Sequence, residues 1–222
     1  MSAILSVACC PKGKKKRLVE LALERGITLI EDAIYSDLYD GDEPPRLCKS
    51  YDVAGNVILC SSFTKTLAPG LRIGWMVPGR HRQQIEMLKF INSLATTEIL
   101  QVSIAEFLAG GGYDHHLRRL RRAFREQMEK TTQAISKYFP EDTRVSNPQG
   151  GFLLWVELPA KVDSMALMAE AAKENISIAP GALFSSTDRY LNFIRVSCGH
   201  PWSADIERAI RRLGEMVQLQ LR

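Results

Sequence analysis

Ser61-Ser-Phe-Thr-Lys65-Thr-Leu-Ala-Pro-Gly-Leu-Arg72-Ile-Gly-Trp75 sets a lysine and an arginine in one hydroxyl-rich turn. The turn lies between two apolar runs, 57–60 and 72–77, each of which reads as a short buried strand. A lysine held at such a strand end loses its proton more easily, because burial and a neighbouring cation both disfavour the ammonium. The neutral amine is what Schiff-base chemistry requires. Ser62, Thr64 and the fork of Arg72 are the donors that a phosphate needs. The same residues also read as an exposed turn lysine flanked by capping serines.

Upstream, the apolar run 27–30 ends abruptly in Glu31-Asp32, with Tyr35 three residues further on. Asp32 and Tyr35 can put a carboxylate and a phenol into one crevice, or serve as a helix cap and a half-buried aromatic. Three short apolar strands with polar residues at their ends fit an open α/β sheet, whose ligands bind beyond the carboxyl ends of the strands. A helix is expected over 11–25, stopped by Gly26, and a loop over 40–45. Two long amphipathic helices follow, 81–108 and 113–138, divided by Gly110-Gly-Gly112.

After Asn147-Pro-Gln-Gly-Gly151 the pattern changes. Runs 152–158, 176–179 and 193–197 read as strands, and 164–174 and 204–221 as helices, which together make a smaller α+β unit. The aromatics of 152–155 read most simply as core. Arg195 sits inside the apolar run Phe193-Ile-Arg-Val and needs an anionic partner there. A ligand carboxylate and an internal acid both satisfy it. The chain therefore divides into 1–110 and 111–222, joined through a long helix.

At 222 residues, 45% hydrophobic and 24% charged, the chain can bury a core, which excludes wholesale disorder. No apolar run approaches the ~18–20 residues of a membrane span. The five cysteines, Cys9, Cys10, Cys48, Cys60 and Cys198, form no CxxC pair, so neither a disulfide framework nor a zinc ribbon is suggested. The N-terminal apolar stretch is too short for an export signal, and a cytoplasmic protein without membrane contact is expected. Net charge is a mild +4. The basic runs 12–17 and 118–125 lack interleaved aromatics and read as solvated faces, so no direct nucleic-acid binding is expected. His115 and His116 are neighbours on a helix, about 100° apart, and do not chelate.

The order Glu31-Asp32-x-x-Tyr35, then 61–75, Gly150-Gly-Phe-Leu-Leu-Trp155, Ile178-Ala-Pro-Gly181 and Phe193-Ile-Arg195-Val-Ser197 resembles the fold-type-I pyridoxal 5'-phosphate (PLP) enzymes. It is most similar to the aminotransferase-like domain of MocR-type regulators of the GntR family, and among enzymes to kynurenine and aminoadipate aminotransferases. The resemblance implies the C-terminal portion of a three-layer α/β large domain, 1–110, followed by the small α+β domain, 111–222. It implies that Lys65 forms the internal aldimine, Asp32 pairs with the pyridinium nitrogen, and Tyr35 bonds the ring's phenolic oxygen. Ser62, Thr64 and Arg72 would hold the phosphate, and Arg195 the α-carboxylate of the substrate. The implied function is transamination between an amino acid and a 2-oxo acid, or cofactor sensing without turnover. The family's catalytic domain is about twice as long, so upstream strands, and in a regulator the DNA-binding domain, are expected to be missing. A homodimer or swapped assembly is expected, since both flanks of the three-strand group lack their neighbours. Where the family has Asn-Pro-x-Gly, this chain has Cys10-Pro11-Lys12-Gly13.

Overall fold

A computed structural model describes residues 12–222, so Cys10 and Pro11 lie outside the described residues. The chain forms two compact units that divide between residues 120 and 121. The first opens with α1 (Lys12–Glu24), whose Val19 and Ala22 are buried. Gly26, at φ +64°, ends it by adopting the left-handed conformation that glycine reaches without strain. Then come β1 (Leu29–Asp32) and β2 (Val57–Ser62), which pair in parallel from Leu29↔Val57 to Asp32↔Cys60. β3 (Gly74–Val77) returns antiparallel to β2, with Ser62 opposite Gly74. The sheet order is β1-β2-β3.

β1 begins two residues later than its apolar run suggests. Ile27 is exposed, and pairing starts only at Leu29, whose N–H donates to the Asn56 carbonyl. The strand therefore extends through Glu31 and Asp32. The Glu31 carboxylate accepts the N–H groups of Cys48 (2.7 Å) and Lys49 (2.9 Å), and so caps the short 3-10 turn Cys48–Tyr51.

The single helix expected over 81–108 is two: α2 (Arg82–Ser93) and α3 (Glu98–Ala109). Leu94 breaks it at φ 52°, ψ −77°. Asn92 and Ser93 bond back to the carbonyls of Leu88 and Lys89, competing with the helix ladder, and two threonines follow. α4 (Gly112–Tyr138) begins in the first unit and continues in the second.

The second unit holds β4 (Arg144–Val145), β5 (Leu153–Glu157), α5 (Ser164–Lys173), β6 (Ala179–Pro180), β7 (Phe193–Ser197) and α6 (Ala204–Leu221). The sheet order is β4-β5-β7-β6, antiparallel throughout. Period-2 alternation sends Leu154, Val156 and Ile194 to one face, all at most 1% exposed. They pack with Leu167 and Ala171 of α5 and with Ile210, Leu213 and Val217 of α6. Only Ala179 of the run 176–179 pairs as a strand, while Ile176 and Ile178 pack against the core. No helix among the described residues is long and apolar enough to cross a membrane.

Candidate functional site

Because β1 and β2 run parallel, Asp32 and Ser62 end at the same edge of the sheet. β3 starts there, since Gly74 pairs with Ser62. The third strand thus contributes its beginning to the site, and the loop 63–73 between β2 and β3 carries Thr64, Lys65 and Arg72 over that edge.

The loop is closed by its own hydrogen bonds. Phe63 N–H donates to Ile73 O (3.1 Å), and the N–H groups of Leu67 (2.8 Å) and Ala68 (3.2 Å) donate to Phe63 O. Ser62 Oγ accepts the Thr64 N–H (3.0 Å) and lies 2.8 Å from Thr64 Oγ1 and 3.1 Å from Ile73 O. Two hydroxyls are therefore fixed side by side on one face of the turn.

Lys65 is exposed and makes no hydrogen bond or ion pair among the described residues. The expected burial of its amine is corrected accordingly: the turn aims the side chain outward, away from the buried Thr66, and no described wall encloses it. Arg72 is also exposed and without a partner among the described residues, and it sits at φ 52°, ψ 31°. That left-handed geometry takes Arg72 out of the strand that its sequence suggested. It costs a residue with a Cβ about 1–2 kcal/mol.

Asp32 is exposed, and its Oδ1 accepts the Ile34 N–H at 3.0 Å, closing a turn and capping no α-helix. Tyr35 follows in the loop, half-buried, just before the 3-10 turn Ser36–Leu38. Cys60, opposite Asp32 in the register, has its thiol pushed up by burial and by the Asp32 charge. An acid, two clustered hydroxyls, an amine and a guanidinium thus share one sheet end. This donor set suits a molecule that presents both an anion and a basic or carbonyl centre.

Arg195 belongs to the second unit. On β7 it faces Trp155 of β5 and Ala179 of β6. It is half-buried with no acid partner among the described residues. Its guanidinium carbon lies 4.5 Å from the centre of the Phe184 ring. Trp155 meets Phe184 (5.8 Å) and Tyr190 (5.5 Å) edge-on and stacks on Phe193 (5.4 Å). Trp155 thus lies on the sheet face opposite Leu154 and Val156. It is part of an aromatic group beside Arg195 and not the simple core residue that its run suggested.

Four residues escape sequence reasoning. Tyr113 and His116, on the first turns of α4, bond to Thr66, and Tyr113 also bonds to Asp37. Their i, i+3 spacing was legible; the partner was not, because it lies 47–50 residues upstream.

Residues 8–213 match the family model for aminotransferase class I and II. The chain is 38% identical over 208 residues to the HTH-type transcriptional regulator YdcR of Escherichia coli (strain K12), covering 94% of this chain and 44% of that one. A solved structure of Pyrococcus horikoshii kynurenine aminotransferase in complex with PMP superposes with a TM-score of 0.90 at 29% identity, over 99% of this chain and 55% of that one. LysN, the alpha-aminoadipate aminotransferase from Thermus thermophilus, complexed with N-(5'-phosphopyridoxyl)-L-leucine, gives 0.84 at 30% identity, over 95% and 55%. The fold is that of the C-terminal portion of these enzymes, and the chain spans about half the length of the relatives it matches.

Proposed function

Because the chain belongs to the aminotransferase class I and II family, we propose that its first unit holds pyridoxal 5'-phosphate and serves transamination between an amino acid and a 2-oxo acid. The observation that carries this reading is the meeting of Asp32, Ser62, Thr64, Lys65 and Arg72 at one sheet end, with Lys65 and Arg72 unpaired among the described residues. Both cations are exposed and free to engage a ligand, and a phosphate suits the fork of Arg72 as a carbonyl group suits the amine of Lys65.

In this reading Arg72 and the hydroxyls of Ser62 and Thr64 hold the phosphate. The Asp32 carboxylate keeps the proton on the pyridine nitrogen, and the Tyr35 hydroxyl bonds the ring oxygen. When bound, the cofactor supplies an electron sink for the carbanion at the substrate Cα. The Lys65 amine would hold the cofactor's carbonyl carbon and would carry a proton to and from the substrate Cα. Arg195, preset against Phe184, takes the substrate α-carboxylate with two parallel N–H donors. Family members work as homodimers, and we propose the same for the protein that contains this chain.

A second reading is favoured by the 38% identity to an HTH-type regulator. There the same residues hold PLP as an effector, and the conformational response replaces turnover. An absorbance titration with PLP, run beside Lys65→Ala, tests what the two readings share. A visible band present in the wild type and absent in the variant supports cofactor capture by Lys65; equal spectra reject it. Amino-acid-dependent loss of the band with formation of a new 2-oxo acid then selects the enzyme over the sensor.

A further inference from the structure

We propose that Tyr113 and His116 are positioning residues for Lys65. They clamp its neighbour Thr66 and tie the Lys65 loop to the loop that follows Asp32. The inference rests on the reading of Lys65 as the cofactor-holding amine.

Lys65 and Thr66 are consecutive in a tight turn and point opposite ways, Lys65 outward and Thr66 inward at 1% exposure. Whatever fixes Thr66 therefore fixes the root of the Lys65 side chain. Thr66 is held at two atoms. The His116 ring Nε2 lies 2.8 Å from the Thr66 carbonyl oxygen. A carbonyl only accepts, so Nε2 carries the proton. The Thr66 hydroxyl lies 2.9 Å from the Tyr113 hydroxyl, which is also 2.9 Å from Asp37 Oδ2. Tyr113 has one proton to give. The carboxylate can only accept, so it takes that proton, and Thr66 donates to the phenol oxygen.

Both anchors stand one turn apart on the first turns of α4. Ring contacts fix them further. Tyr113 meets Phe63 edge-on at 5.7 Å, inside the Lys65 loop itself, and His116 meets Phe107 at 6.5 Å. Asp37 lies two residues beyond Tyr35 and five beyond Asp32. The Tyr113 hydroxyl is thus the joint between the two loops that the proposed site draws on. The arrangement leaves the lysine head exposed while two hydrogen bonds hold the residue next to it. A displaced backbone is costly, since errors of about 1 Å in a reacting group cost on the order of 100-fold in rate.

The test uses the full 222-residue chain as wild type, Tyr113→Phe, His116→Ala and His116→Gln. PLP is added, the C=N bond formed with loss of water is reduced by borohydride hydride, and labelled lysines are mapped by mass spectrometry across pH. Hydrogen exchange at residues 64–68 is measured on the same proteins without PLP, and thermal melts report global stability. The expected result is preferential labelling of Lys65 in the wild type. Tyr113→Phe and His116→Ala slow Lys65 labelling by roughly 3–10-fold, as loss of one or two hydrogen bonds implies. Both also speed exchange at 64–68, while labelling of distant lysines stays unchanged. The amide of His116→Gln can still donate to the Thr66 carbonyl, and it restores most of both signals.

Unchanged labelling and exchange in Tyr113→Phe and His116→Ala overturn the inference and leave the Lys65 reading intact. A change in melting with no selective change at Lys65 also overturns it, by reducing the pair to a structural role. Absence of preferential Lys65 labelling in the wild type rejects the Lys65 reading and this inference with it.

Discussion

Arg72 and Arg195 are two guanidinium groups prepared in different ways. Arg72 is held in a left-handed conformation with nothing to bind among the described residues. Strain of this kind persists where the surroundings over-determine it, commonly at functional sites. Arg72→Gly removes the Cβ clash and should stabilise the isolated chain by about 0.5–1 kcal/mol, net of the larger entropy that glycine loses on folding. It should also weaken PLP binding. Urea unfolding and the PLP titration check the two halves, and a destabilised glycine variant would sink the strain argument. Arg195 is oriented instead by an aromatic face, and a cation over a ring gains about 0.5–2 kcal/mol depending on exposure. Phe184→Leu should therefore lower affinity for a 2-oxo acid by roughly 3-fold to 10-fold and leave the PLP band unchanged. Equal affinity in calorimetry would mean that Phe184 merely packs. The sequence pointed to both arginines through their neighbours, a turn in one case and an apolar strand in the other. It could not show Phe184, which is eleven residues from Arg195 and reaches it only through the fold.

At the scale of elements, two features follow from close approach. Gly214 of α6 lies where an added Cβ would stand 2.4 Å from the Tyr138 carbonyl oxygen and 2.8 Å from its carbon. Alanine is the better helix former by ~1 kcal/mol, yet backbone cannot retreat as a flexible side chain can. Gly214→Ala should destabilise the chain by about 1–3 kcal/mol, read from the denaturation midpoint; a stabilised variant would show that α6 slides freely. The turn leading into β2 depends on Asp52. Burial pushes its carboxyl up, but hydrogen bonds from Lys49 (2.9 Å), Val57 N–H (2.8 Å) and Asn56 N–H (2.9 Å) outweigh that and hold it below the usual range. A depressed folded-state value means that the stabilisation is present above the ordinary aspartate pKa and disappears as pH falls through the lower folded-state one. Urea midpoints followed down through the acid range should drop less in Asp52→Asn than in the wild type, because the variant has already lost that contribution. The elements themselves were largely legible, since β2, β5, β7, α5 and α6 follow their hydrophobic periods closely. The α2–α3 break was not, because Asn92, Ser93 and the threonines at 96 and 97 are tolerated within helices, and the break itself falls at the apolar Leu94.

At the scale of the whole molecule, the distribution of apolar surface is uneven. Each unit has its own buried cluster, small in the first and large in the second. The first unit also leaves Trp75, Met76 and Val77 of β3 exposed, together with Phe90 and Ile91 of α2 and Ile99 and Val102 of α3. β1 and β3 are both edge strands. Open edges beside apolar faces favour association between chains. Sedimentation velocity across a wide concentration range should show reversible self-association, weakened by Val77→Lys on the β3 edge; a concentration-independent monomer would refute this. The site divides along the same line. Apart from Asp32, its sheet-end cluster was readable as one compact motif, since Ser62, Thr64, Lys65 and Arg72 all fall within residues 61–75. The fixtures behind it were not, because they unite segments far apart in the chain.

That separation has a kinetic consequence. Thr66 is pinned by a residue 50 positions downstream, so the turn bearing Lys65 cannot reach its final order when its own strands emerge. At synthesis rates of about 5–20 residues per second, the interval is roughly 3–10 s. During it the nascent chain carries this turn without the two hydrogen bonds that α4 makes to Thr66. Arrival of the first turns of α4 closes that window, and the fold thereby sets the earliest moment at which Thr66 is held in place.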